Sequence, residues 1–177
     1  MSEPIERHTF AVIVDNEPGV LARVIGLFSG RGYNIDSLTV AEVQHAAGVS
    51  RITLVTTGTR MIIEQIKAQL RRLVPVQAVR DLTDEGAFVA KELALVKVAN
   101  EGANRREALR IADIFSATVA DTTLSSFVFV MTGSPDKVDS FVQLMGALGK
   151  VEVVRSGVVA IARGEQVLGE EGEAGPG

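Results

Sequence analysis

The sequence has no cysteine, no tryptophan and a single tyrosine, and its only histidines are His8 and His45. Without cysteine there are no disulfides, no thiolate metal ligands and no thiol nucleophile. Two histidines make a histidine-built zinc site an unpromising expectation, and no metal is expected on this chain. Seven phenylalanines and that one tyrosine leave a core that must be aliphatic. Positive charge is scarce as well: 18 Lys and Arg stand against 22 Asp and Glu, for a net charge of -4. Nucleic acid demands clustered basic side chains, so no nucleic-acid partner is expected. No apolar run approaches the ~20 residues that cross a bilayer, and residues 1–7 lack the apolar centre of a signal peptide. The expectation is a cytoplasmic chain with no membrane partner and a short leader over 1–7.

What is present is a twice-written order of elements. His8 to Val14 is almost wholly apolar, as a central strand requires. Asp15-Asn16-Glu17-Pro18-Gly19 breaks it with turn chemistry. Val20, Leu21, Val24, Ile25 and Phe28 recur at helical spacing until Gly30 and Gly32. A half-polar edge strand over 34–43, a turn at 44–48 and a buried strand over 49–56 come next. Thr59 is placed to cap a helix with an inner stripe of Ile62, Ile63, Ile66, Leu70 and Leu73. Val76 to Leu82 closes a βαββαβ unit over 8–83.

After an expected linker at 84–90, the order returns over 91–164. A strand at 91–99 leads to Asn104-x-x-Glu107, which reads as a capping box. A hairpin over 117–132 precedes Ser134-Pro135-Asp136, a helix start. Leu73-x-x-Val76-x-x-Val79-Arg80 reappears as Leu148-x-x-Val151-x-x-Val154-Arg155, marking the repeat. The fold class expected is α+β, two ferredoxin-like βαββαβ domains, with a flexible acidic tail over 165–177.

Enzymatic constellations are missing. Gly26 to Gly32 follows a helix, the wrong order for a dinucleotide fingerprint, and Gly146 to Lys150 lacks the spacing of a phosphate loop. Neither histidine has a Ser in a nucleophile motif, and both read as surface or strand-end residues. The informative segment is the corner from Asp15 to Leu21. Its position between a strand and a helix presents first-turn N–H groups to a carboxylate. Asn16, Asp15 and Asn34 could then accept from an ammonium group. The alternative is a plain turn in which the Asx residues cap and Pro-Gly sets the geometry.

This corner, set in a βαββαβ order, resembles the ACT domain, an amino-acid-binding regulatory module. The longer run Arg23 to Ala41, the run Glu92 to Val98 and the run Glu152 to Val159 are similar to the small-subunit family of acetolactate synthase. The resemblance spans about His8 to Gly164. It implies an N-terminal ACT domain and a C-terminal ACT-like domain. It also implies a non-catalytic regulatory chain that forms a homodimer and raises the activity of a large catalytic subunit. That partner would use thiamine diphosphate, Mg²⁺ and FAD, none of them bound here. Feedback by valine, leucine or isoleucine is implied at Asn16, Gly19, Val20, Leu21 and Asp15, with Asn34 from the second protomer. Arg31, Tyr33 and Arg51 are candidates for touching the large subunit. The other readings are a different tandem-ACT regulator and an enzyme on the same scaffold.

Overall fold

A computed structural model describes residues 3–168, so Met1 and Ser2 of the expected leader and residues 169–177 of the expected tail lie outside it. The rest of the leader does not stand apart, because the first strand, β1 (Ile5–Asp15), already begins there. Every residue of β1 from His8 to Val14 is buried, as its apolar run demands. Its neighbours are β3 (Val49–Thr59) on one side and β4 (Val76–Asp81) on the other, both antiparallel. The half-polar β2 (Ser37–Gln44) pairs only with β3, which gives the order β2-β3-β1-β4 and puts β2 at an edge.

Two helices cover one face. In α1 (Val20–Ser29), Val20, Val24 and Phe28 fall at four-residue spacing and are buried. In α2 (Arg60–Leu70), Ile63, Ile66 and Leu70 do the same, and the Thr59 hydroxyl accepts the Ile62 N–H at the helix start. They close over Phe10, Val12, Val14, Ile52 and Leu54. Truncating a fully buried residue such as Ile66 to Ala would cost about 2–5 kcal/mol.

The expected linker is structured instead. A short helix, α3 (Leu82–Glu85), is capped by Asp81, whose carboxylate accepts the Thr83 and Asp84 N–H groups. The next strand, β5 (Phe88–Ala99), starts inside the same stretch. Asp81 also accepts from His8 Nδ1 at 2.8 Å, while His8 Nε2 lies 3.1 Å from Glu6. His8 is therefore a buried anchor, 1% exposed, and not the surface residue expected. A carboxylate at the first turn of a helix and across from an imidazole explains why two polar side chains are tolerated there.

The second unit repeats the plan with α4 (Gly102–Ile114), β6 (Thr118–Thr122), β7 (Ser126–Gly133), α5 (Pro135–Leu148) and β8 (Lys150–Arg155). Its order β6-β7-β5-β8 is that of the first sheet. A further strand missed in the sequence, β9 (Val159–Ala162), pairs with β5. Glu92, Ala94, Val96 and Val98 alternate inward along β5, and the apolar three meet Phe129, Phe141 and Met145 in the core. The expected capping box does not form. The helix starts at Gly102 instead, so Asn104 lies inside it and donates to Leu148 O, while Glu107 pairs with Arg110. The expected tail is also shorter than its composition suggests, since Gln166 accepts from Arg80 at 2.9 Å.

The described residues divide into two compact units, 3–89 with 160–168 and Ala90–Val159. The sequence repeat marks equivalent anchors in them. Arg80 donates to Glu85 at 2.5 Å in the first unit. In the second, Arg155 donates to the buried Glu92 and to Asp139, and the Glu92 hydrogen bond holds its guanidinium above the ordinary pKa.

Gly149 closes α5 against β5 so tightly that an added Cβ would collide with the Ala99 carbonyl oxygen. Gly149→Ala is expected to lose about 1–3 kcal/mol through forced backbone movement. Thermal unfolding followed by circular dichroism checks this, and an unchanged midpoint would contradict the close approach.

Candidate functional site

The corner between β1 and α1 is built by a backbone device. Gly19 occupies the position before the helix with φ +85°, a left-handed conformation that residues with a Cβ avoid. No side chain caps α1, and no acid lies in its first turn. The Val20 N–H turns back to Glu17 O at 3.2 Å, and the Arg23 N–H reaches Gly19 O at 3.0 Å. Between them, the N–H groups of Leu21 and Ala22 have no acceptor among the described residues. Two unsatisfied donors at the positive end of a helix dipole attract a small carboxylate.

The expected residues sort into three groups. Gly19, Val20 and Leu21 form the corner, although the Val20 amide is spent within the turn and the Leu21 side chain packs on the core. Asn16 is exposed beside it, its N–H held by Gly48 O at 2.7 Å. Asp15 is occupied, since its carboxylate accepts from Gln77 Nε2 at 2.5 Å. Its role is to fix the corner against β4.

Asn34 lies on the approach to β2 and is exposed. Its Nδ2 donates to Asp36 at 2.6 Å, and its carbonyl oxygen accepts from the Thr56 hydroxyl at 2.6 Å. That geometry engages one of the two amide N–H donors and leaves Oδ1 to accept. Among the described residues no hydrogen bond joins Asn34 to the corner, so a single chain does not tie these residues together.

Of the three surface candidates, only Arg31 is exposed. Tyr33 is half-buried, edge-on to Phe28 and donating to Gln65 at 2.8 Å. Arg51 is half-buried with its guanidinium on the Ala160 carbonyl at 2.7 Å. Both are held by their own chain because an amphipathic side chain buries its stem where apolar surface adjoins a polar acceptor.

Residues 10–78 match the family model of the AHAS small subunit-like ACT domain, and residues 91–164 match that of the small subunit of acetolactate synthase. The chain belongs to the acetolactate synthase small-subunit family. It is 42% identical over 163 residues to the acetolactate synthase isozyme 3 small subunit of Salmonella typhimurium, covering 92% of this chain and 99% of that one. To the acetolactate synthase small subunit of Aquifex aeolicus it is 41% identical, covering 96% of this chain and 88% of the relative. A crystal structure of the acetolactate synthase small subunit from Thermotoga maritima superposes with a TM-score of 0.77 at 32% identity, covering 91% and 99% of the two chains. Acetolactate synthase small subunits are regulatory and non-catalytic.

The Gly19 site isolates one backbone effect, because an added Cβ meets nothing within 4 Å. Gly19→Ala is expected to destabilise by about 1–2 kcal/mol, and Gly19→Asn by less, since Asn tolerates the left-handed region. Urea unfolding of the two variants checks the order; equal midpoints for Ala and wild type would refute the conformational argument.

Proposed function

We propose that this chain activates the large, catalytic subunit of acetolactate synthase in the cytoplasm and imposes feedback inhibition by a branched-chain amino acid, valine foremost. The observation that carries this reading is the uncapped start of α1, where the Leu21 and Ala22 amides stand open beside Gly19. The amino acid's carboxylate takes these donors. Its ammonium group goes to the side-chain oxygen of Asn16 and, across a homodimer, to Asn34 Oδ1 of the second protomer. The position of β2 supports that arrangement: it is the outermost strand of the sheet among the described residues, and an edge strand is a template for a second copy. Thiamine diphosphate, Mg²⁺ and FAD belong, in this proposal, to the large subunit, where pyruvate is condensed with a second 2-oxo acid.

Regulation then follows from differential binding. A ligand held by both protomers favours the pair arrangement in which its two halves of the site face each other, and it shifts the complex only by that preference. Charge-assisted hydrogen bonds contribute about 1.5–3 kcal/mol each, so a few suffice for micromolar to millimolar sensing. Coupling of about 1–3 kcal/mol between effector and catalytic subunit changes affinity roughly 5- to 150-fold.

The test is acetolactate formation by the large subunit, measured with and without this chain and valine. Gly19→Asp places a carboxylate where the ligand's own must sit, while Gly19→Asn carries the same shape without the charge. Gly19→Asp is expected to raise the half-inhibitory valine concentration more than about tenfold, equivalent to 1.4 kcal/mol, with activation retained. Gly19→Asn should shift it far less. Full valine sensitivity in the Gly19→Asp complex would remove the corner from the mechanism.

A further inference from the structure

The first sheet has a second face, and two arginines stand on it. Along β1, Phe10, Val12 and Val14 point to the helices, so Thr9, Ala11 and Ile13 point away. The pairing register sets Arg51 beside Ile13 and Arg80 beside Ala11 on this far face. Residues 160–168 run across it. They are tied down by Arg51 to the Ala160 carbonyl at 2.7 Å, by Arg80 to Gln166 at 2.9 Å, and by the Arg163 N–H to Ala87 O at 2.9 Å.

Beneath this strap lie two adjoining cavities of about 310 and 180 Å³ that share Arg51, Ile161 and Leu168. The larger is of the size that holds a small ligand, about 300 Å³ upward. Ile13 and Val49 give it an apolar floor, and Gln44 adds an amide. No Asp or Glu of the described residues lines either cavity. Arg80 has Glu85 at 2.5 Å, whereas Arg51 makes no ion pair among the described residues and bonds only to a neutral carbonyl. Burial, and then the positive charge of Arg80, push the Arg51 pKa below the usual guanidinium value. A half-buried cation without an anion is an unfavourable arrangement that a bound carboxylate would relieve, and guanidinium forks bind carboxylates in two-point fashion.

We propose that this cavity is a second small-molecule site, distinct from the Gly19 corner, which takes a short aliphatic carboxylate bearing no ammonium group. Its carboxylate sits on Arg51 and its alkyl part on Ile13, Val49 and Ile161. The missing acids select the class. An α-amino acid would bring its ammonium beside the Arg51 guanidinium in a cavity that no Asp or Glu of the described residues lines, whereas a simple or 2-oxo acid brings only the charge that is wanted. Ligand binding also holds the strap, since Arg51 contacts both.

Isothermal titration of the intact chain with isovalerate and 2-oxoisovalerate, and with valine as the amino acid of the same carbon skeleton, tests this. Both acids are expected to bind one per chain with saturable heat. Arg51→Gln should weaken them at least tenfold and leave valine binding as it was. Gly19→Asp should do the reverse, so failure here and failure of the effector corner are read separately. Absence of saturable heat from both acids, or unchanged binding in Arg51→Gln, overturns the proposal. Should circular dichroism show Arg51→Gln unfolded, Ile161→Trp decides, because it fills the space and keeps the guanidinium. Loss of binding there supports the site, and retention overturns it.

Discussion

A four-stranded sheet with both helices on one face leaves its other face to be covered, and most of what distinguishes this chain follows from that constraint. The central strand shows the pressure directly. Its residues are buried on both sides, with Phe10, Val12 and Val14 under the helices and Thr9, Ala11 and Ile13 away from them. A unit of about 75 residues cannot supply a second layer from its own elements. The chain supplies part of it from the far end, by bringing residues 160–168 back over Ile13 and Arg51. Cover delivered by a thin strap fills a face incompletely, and cavities remain beneath it. Charge is placed there because Arg51 and Arg80 tie the strap down by its carbonyl and amide oxygens.

The same economy of elements shapes the effector corner. A helix that starts directly after a buried strand has its first donors pointing at the end of the sheet. Most helices satisfy these with a side chain, as Thr59 does for α2 and Asp81 for α3. At α1 the position is held by Gly19, which shapes the turn but offers no oxygen. Stability forgone at that cap, typically about 1 kcal/mol, is binding capacity kept for a ligand. On the proposed function, a ligand shared by two copies would express its free energy in how they pair and not only in local order.

Much of this was legible in the residues, for reasons that differ by element. The inner stripes of α1 and α2 and the Thr59 cap follow from periodicity and from local side-chain chemistry, and they formed except that Ile25 is exposed and Leu73 lies beyond the end of α2. The equivalence of Arg80 and Arg155 was visible as a spacing, but its meaning, an arginine tied to an acid near the end of each last strand, needed coordinates. His8 was misjudged because its partner Asp81 lies 73 residues away, and no local pattern announces that pairing. Arg51 and β9 were misjudged together, since a strand residue's exposure depends on what returns to cover it. The capping box at Asn104 failed because Gly102 lets the helix begin earlier, after which the amide is better used on Leu148 O. Residues whose state is set by sequence-distant chain were the ones missed.

Comparison of the two corners bears on why the proposed function puts sensing at the first. The second unit also has a left-handed glycine at an uncapped helix start, but Gly102, at φ +60°, is the first residue of α4 where Gly19 precedes α1. There the resemblance ends. Asn100 is buried and donates to Asn104 O, Asn104 donates to Leu148 O, and Gly149 packs against Ala99, so the side chains around that turn are spent on their own chain. Glu101 occupies the position just before the helix and would repel a carboxylate. At the first corner Gly19 itself holds the position before the helix and carries no charge, and the Asp15 carboxylate is engaged by the Gln77 amide. On the proposed function, it is backbone donors beside Gly19, and not any reactive side chain, that would let the N-terminal unit sense a ligand, while at the second start Glu101 opposes the same use.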